Sequence, residues 1–218
     1  MTGRALTVLA WLNVVVHAVG LAFAYFGMRP GSPLVGLPQR LEYLAGAPLG
    51  WTLGWATWML CGAALVAFFA ALALRLGERA DLARLGLTVA VVAAGFDISC
   101  DSVYIVVFPT LAAASRSGSE TLFLLAERVT GLVSLVVANG GYSIGTLLLT
   151  LALRGRPGLV PGTVAAGYGV AGFGLLLAAA GFTGVPWHAE WATPPTIGLY
   201  CVWVLLVARS VERDGGPS

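Results

Sequence analysis

Two aspartates, Asp97 and Asp101, lie four residues apart inside the apolar run Leu85–Phe108, which is long enough to cross a bilayer as a helix. A charged side chain at the centre of a membrane costs about 2.5–3.5 kcal/mol on insertion scales, so the pair needs a partner, a proton or water. A spacing of four residues places both carboxyl groups on one face of a helix. The sequence therefore predicts a polar interior inside a membrane-embedded helix bundle.

Composition supports the membrane setting. The chain is 58% hydrophobic and only 10% charged, whereas soluble domains carry about 25% charged residues. The formal net charge of +2 is spread over the chain, and no basic run is suited to bind a phosphate backbone, so we expect no nucleic-acid partner. We predict an all-α, polytopic bundle that forms a single integral-membrane domain over residues 1–218, with membrane lipid as its surroundings.

Six apolar runs have the length of a membrane span, and they cover residues 5–28, 51–74, 84–108, 121–153, 160–183 and 194–211. Between the first two, Pro38–Ala45 predicts a short outer interfacial helix.

The arginines favour one orientation of these spans. Eight arginines fall on the side of the termini, at positions 4, 75, 79, 84, 154, 156, 209 and 213, and four fall opposite, at positions 29, 40, 116 and 128. Because cytoplasmic loops carry the excess of positive charge, we expect both termini in the cytoplasm and the chain in the inner (plasma) membrane.

Counting about 1.5 Å per residue from the helix ends gives each polar side chain a depth. The count predicts a polar column from mid-membrane to the outer surface, made of His17, Asn139, Asp97, Asp101, Tyr104, Glu127 and Arg128. We predict that these seven residues bind a ligand or a proton.

Roles within the column follow from charge and depth. Arg128 has a side chain long enough to reach Asp101 as its counter-ion. Two close carboxylates do not both ionise readily without such a cation, so we expect the deeper Asp97 to hold a proton. His17 can exchange that proton if the first and third spans are neighbours. Structural roles as helix-to-helix hydrogen bonds remain open for His17 and Asn139.

Small residues form faces that let helices approach closely. Gly141 and Gly145 form a GxxxG pair, and a narrow stripe of small and polar residues runs from Asn13 to Gly27. Such faces are equally suited to packing within one bundle, to a homodimer, and to contact with another membrane protein.

Other motifs carry little. Gly167–Gly172 fits G-x-G-x-x-G, but a dinucleotide fingerprint needs a strand before it and a helix opening at it in water. The three cysteines lie in apolar runs and form no CxxC pair, and no metal-ligand motif occurs. We therefore expect no cofactor and no metal, and no residue is assigned a catalytic role.

Three functions remain open. The leading hypothesis is a multi-pass membrane protein whose buried acidic site binds a proton, a cation or a small polar ligand in connection with transport. The first alternative is an intramembrane enzyme that acts on a lipid or isoprenoid by acid/base catalysis, with a side opening to lipid. The second is a non-catalytic accessory or sensor subunit, with a sealed polar cluster.

Overall fold

The computed structural model of the chain is all-helical and describes residues 3–77, 80–115 and 120–214, without the side chains of residues 80, 186–189 and 214. Among these residues, six helices are long and apolar enough to cross a membrane, which confirms the predicted number and supports a multi-pass membrane protein. Two arginines of the charge count, Arg79 and Arg116, lie outside the described residues.

Eight α-helices follow one another in the part of the chain that the structure describes: α1 (Gly3–Phe23), α2 (Leu37–Ala45), α3 (Leu49–Leu76), α4 (Ala80–Ser115), α5 (Glu120–Leu132), α6 (Gly140–Leu153), α7 (Thr163–Thr183) and α8 (Pro186–Asp214). A π-helical segment, Ala24–Met28, extends α1, and a second one, Val133–Asn139, joins α5 to α6 into a single rod. The six spans are therefore α1, α3, α4, the α5–α6 rod, α7 and α8.

The last helix begins earlier than predicted. We expected its start at residue 194, because the prolines Pro194 and Pro195 favour a helix N-terminus, but α8 begins at Pro186 and runs through both. Pro186 fits the first position of a helix, where no donor is needed. Two consecutive prolines then leave only the carbonyls of Glu190 and Trp191 without their intrahelical donors.

The six spans form a closed ring. Each span packs against its neighbours in the chain, and α1 packs against α8. The start of α1 meets the end of α8, where the Thr7 hydroxyl donates a hydrogen bond to the Glu212 carboxylate, 2.5 Å away. We call this side of the bundle the terminal end, and the opposite side, where α2 packs against α4, the α2 end.

Large apolar side chains fill the terminal end. The core there draws on every span of the ring and includes Leu6, Phe68, Phe69, Leu72, Ala90, Leu149, Leu153, Val170, Trp203 and Val207. Phe68, Phe69 and Trp203 are completely buried, and both phenylalanine rings contact the Trp203 ring edge to face. This end of the bundle is therefore closed by packing.

Glycines bring α4 and α6 into backbone contact. A Cβ atom on Gly86 would lie 2.9 Å from the Gly145 carbonyl oxygen, and one on Gly145 would lie equally close to the Gly86 carbonyl oxygen. Gly141 meets Ala93 in the same seam. The GxxxG pair of α6 thus packs inside the chain, and the homodimer contact stays a prediction for other small-residue faces.

We expect Gly86→Ala to lower the melting temperature of the purified protein in detergent. The added methyl group forces apart two backbones, at a cost of about 1–3 kcal/mol, which exceeds the gain of up to about 1 kcal/mol in helix propensity. Gly95→Ala is the matched control, since Gly95 lies on the same helix with nothing within 4 Å of its added Cβ. Equal melting temperatures for the two variants would contradict the seam.

Candidate ligand cavity

A cavity of about 780 Å³ lies inside the ring and extends from the middle of the bundle to the α2 end. All seven predicted site residues line it: His17, Asp97, Asp101, Tyr104, Glu127, Arg128 and Asn139. Towards the terminal end its lining stops at Leu65, Thr146 and Val170, beyond which the core is filled. The sequence thus selected residues that share one space, although several of their partners differ from those expected.

The carboxyl group of Asp97 accepts hydrogen bonds from two hydroxyl groups of the α5–α6 rod. Tyr142 donates to its Oδ2 at 3.1 Å and Ser134 donates to its Oδ1 at 3.4 Å. Gly62 of α3 makes room for this arrangement, because a Cβ there would lie 2.7 Å from the Tyr142 hydroxyl. Neither donor was predicted, since a tyrosine and a serine in an apolar run carry no signal of their own.

Asp101 lies one turn further along the same face of α4 and is 1% exposed. Its Oδ2 is buried and has no hydrogen-bond partner among the described residues. A buried polar atom of this kind costs about 1–3 kcal/mol when it is left unpaired. The position therefore calls for a donor from inside the cavity.

The second π segment positions the donors of the rod. Its wider turn lets the Asn139 amide donate to the carbonyl of Ser134, five residues back, at 3.0 Å. Ser134 and Asn139, at either side of this turn, both face the cavity. π-helical turns concentrate at functional sites because they rotate side chains out of the regular helical register.

His17 lines the cavity on another wall. Its Nδ1 bonds to the carbonyl of Asn13 at 2.8 Å, and its ring lies between Trp58 and Tyr200, 6.4 and 5.1 Å away between centroids. Because α1 packs against α3 and α8, the condition for proton exchange with Asp97, neighbouring first and third spans, is not met. The described helix packing therefore does not support the predicted proton exchange with Asp97, and the His17 ring contacts the rings of Trp58 and Tyr200 instead.

Asn13 is a structural link that the site prediction left out. Its amide donates to the carbonyls of Leu9 and Ala64, at 2.8 and 2.9 Å, and its Oδ1 accepts from the Tyr200 hydroxyl at 2.8 Å. One side chain thus joins α1, α3 and α8. The stripe of small and polar residues on α1 begins at Asn13, and at this residue it indicates packing between helices.

Arg128 does not pair with Asp101, so that prediction is wrong. Its guanidinium donates to the carbonyls of Gly181 and Phe182, at 3.3 and 3.0 Å. These carbonyls belong to the last turn of α7, where the intrahelical donors run out and a cation is favoured. Gly184 leaves space for the guanidinium at this helix end.

Glu127 pairs instead with Arg40 of α2. One Arg40 nitrogen lies 2.7 Å from both carboxylate oxygens, and the two side chains are 5% and 19% exposed. Arg40 also stacks on the Phe123 ring at 5.4 Å. The sequence prediction used Arg40 only in the count of arginines opposite the termini. However, Arg40 precedes the buried Leu44 by one turn and therefore shares its face of α2.

A hydrogen bond at the other edge of α2 supports the same docking. The Tyr43 hydroxyl donates to the carbonyl of Gly27 in the first π segment. Burial raises the pKa of the Tyr43 phenol, so it keeps its proton and stays a donor at neutral pH. Both contacts tie α2 to the spans around the cavity.

Aromatic rings form one wall of the cavity near Asp101. Trp55 and Tyr104 stack with their ring centroids 4.0 Å apart and an angle of 8° between planes. Trp51 fixes this stack by donating to the Tyr104 carbonyl at 2.7 Å. The Trp55 Nε1 is buried without a partner among the described residues, so a second polar atom in this wall is unused.

No family model, curated protein or solved structure matches the chain. The cavity and the residues that line it are therefore the basis of the functional proposal below. Within the described residues, no three His, Cys, Asp or Glu side chains are grouped closely enough to hold a metal ion.

We expect Glu127→Ala to lower the free energy of unfolding by about 3–5 kcal/mol, because it leaves the buried Arg40 charge without its partner. Glu190→Ala is the matched control, since its pair with Arg29 is 39–44% exposed and such pairs contribute about 0–1 kcal/mol. Denaturant unfolding in detergent measures both. A similar loss for the two variants would show that the Arg40–Glu127 pair is not effectively buried.

Proposed function

We propose that this multi-pass membrane protein binds a proton, a cation or a small polar ligand at Asp97 and Asp101, and that it does so as part of a transport process. The observation that carries the proposal is Asp101, a residue of the cavity lining whose buried Oδ2 has no hydrogen-bond partner among the described residues. An acid inside a membrane is costly, and a purely structural acid would be expected to have its partner built in.

The hydrogen bonds favour a division of roles opposite to the one predicted from depth. Asp97 receives two hydroxyl donors, which stabilise a carboxylate. Asp101 is more deeply buried and has an unpaired oxygen. In this proposal Asp97 carries the negative charge, and Asp101 holds a proton until a ligand supplies a donor.

The shape of the cavity favours transport over a sealed sensor. Its lining reaches residues of the α2 end such as Ser32 and Pro33, while the opposite end is closed by the core around Phe69 and Trp203. A central site that is open to one side and closed to the other is one state of an alternating-access cycle. The accessory-subunit hypothesis expects the polar groups to satisfy each other.

One observation favours the intramembrane enzyme as the second candidate. A surface groove of about 440 Å³ lies between α7 and α8 and is lined by apolar residues such as Phe173, Leu176 and Trp191. Ala180 lines both this groove and the central cavity. A lipid chain in the groove would therefore lie next to the wall of the acidic site, as a lipid-directed enzyme requires.

We expect infrared spectroscopy of the reconstituted protein to show a carboxylic-acid carbonyl band that disappears as the pH rises. Asp101→Asn should remove most of this band, because the neutral amide has no proton to lose. Asp81→Asn is the matched control, since Asp81 lies on the same helix but its side chain is 96% exposed. If the double variant Asp97→Asn/Asp101→Asn gives the wild-type pH profile, the proposed site is wrong.

The orientation belongs to the same proposal. The arginine bias favours an orientation with both termini in the cytoplasm and with α2, as an outer interfacial helix, on the opposite face of the inner membrane. A cytoplasmic reporter fused after Ser218 should then be active, and a periplasmic reporter at the same position should be silent. The reverse pattern would open the cavity to the cytoplasm.

A further inference from the structure

Among the described residues, no cationic side chain donates a hydrogen bond to the acid pair. Asp97 is supplied by Tyr142 and Ser134, both neutral hydroxyls, and the guanidinium groups of Arg40 and Arg128 are engaged elsewhere. Asp101 is 1% exposed, belongs to the cavity lining, and has a buried Oδ2 without a hydrogen-bond partner among the described residues. A ligand that fits this position brings both a positive charge and a hydrogen to donate.

The walls around the pair suit an organic body. The Trp55–Tyr104 stack belongs to the same wall as Asp101, since Tyr104 follows Asp101 by one turn of α4. Trp58, one turn after Trp55 on α3, and Tyr200 of α8 line the same cavity and contact the His17 ring. The faces of such rings attract organic cations, most strongly in a desolvated site. A cavity of about 780 Å³ is also within the range of about 300–1,000 Å³ that holds small organic molecules.

The same donor set is poor for a metal ion. Hard cations take about six or more oxygen ligands, whereas only two hydroxyl oxygens among the described residues, those of Tyr142 and Ser134, are hydrogen-bonded to Asp97. No group of three candidate metal ligands occurs among the described residues. The aromatic walls provide no further carboxylates or carbonyls in place of the missing ones.

We infer that the ligand is an amphipathic organic amine. When the amine binds, Asp101 releases its proton to solvent, and the ammonium group donates to the resulting carboxylate beside the charge of Asp97. The apolar body of the amine lies against the rings of Trp55 and Trp58. The inference rests on the proposed function, for which it names the ligand class.

Three phenylbutyl compounds that differ only in their terminal group provide the test: the amine, which is protonated at neutral pH, the neutral alcohol and the anionic carboxylate. Binding to the purified protein in a neutral maltoside detergent is followed by tryptophan fluorescence and by calorimetry. We expect saturable binding of the amine that is at least about tenfold tighter than that of the alcohol, because all three compounds share the ring contacts and only the amine adds a charge-assisted hydrogen bond to the acid pair. The carboxylate should bind more weakly than either.

Variants locate the site. Asp101→Asn should weaken binding of the amine by at least about thirtyfold, the effect of removing one partner from a buried charge pair, and should leave binding of the alcohol unchanged. Asp81→Asn, the same change at an exposed position of α4, should leave all three unchanged. If Asp101→Asn unfolds, the comparison of the three compounds on the wild-type protein is decisive by itself.

Two results would overturn the inference. Equal affinity for the amine and the alcohol would show that the charge is not recognised. Unchanged amine affinity in a folded Asp101→Asn variant would place binding elsewhere. If the amine does not bind but the infrared band still follows Asp101, the ligand class is wrong and the proton site stands. If both tests fail, the proposed function fails with the inference.

Discussion

The backbones of α4 and α6 touch at Gly86 and Gly145, and this contact determines the geometry of the cavity. Lipid provides no hydrophobic force between spans, so helices associate through close packing and hydrogen bonds. The seam holds the rod that carries Ser134 and Tyr142 at the distance from which both hydroxyls reach Asp97. A wider spacing would leave the carboxyl group without donors in the middle of the bundle.

The number of spans and the residues of the cavity could be predicted because both follow from position along the chain. Span length is set by membrane thickness, and depth follows from a constant rise per residue. Asp97 and Asn139, placed by this count in one plane, both face the same cavity. The depth count alone grouped residues from three spans that line one cavity.

Contacts between the predicted residues were harder to predict, because the depth of a residue does not determine which helices are neighbours or how each helix is rotated about its axis. His17 and Asp97 lie at similar depths but on walls separated by α3. Arg128 donates to carbonyls in the last turn of α7. The sequence around Arg128 does not indicate that this helix end lies within reach. The π segment of the rod adds a local rotation that no periodicity count includes.

The Asn13 contacts have a consequence for the order in which the bundle is made. Spans that follow one another in the chain can pack as they enter the membrane, and the bond from Asn13 to the Ala64 carbonyl forms within the first two of them. The Asn13 oxygen, by contrast, accepts from Tyr200 of the sixth span. The first span therefore carries an unmatched acceptor in lipid until the sixth arrives, and ring closure is the step that removes it.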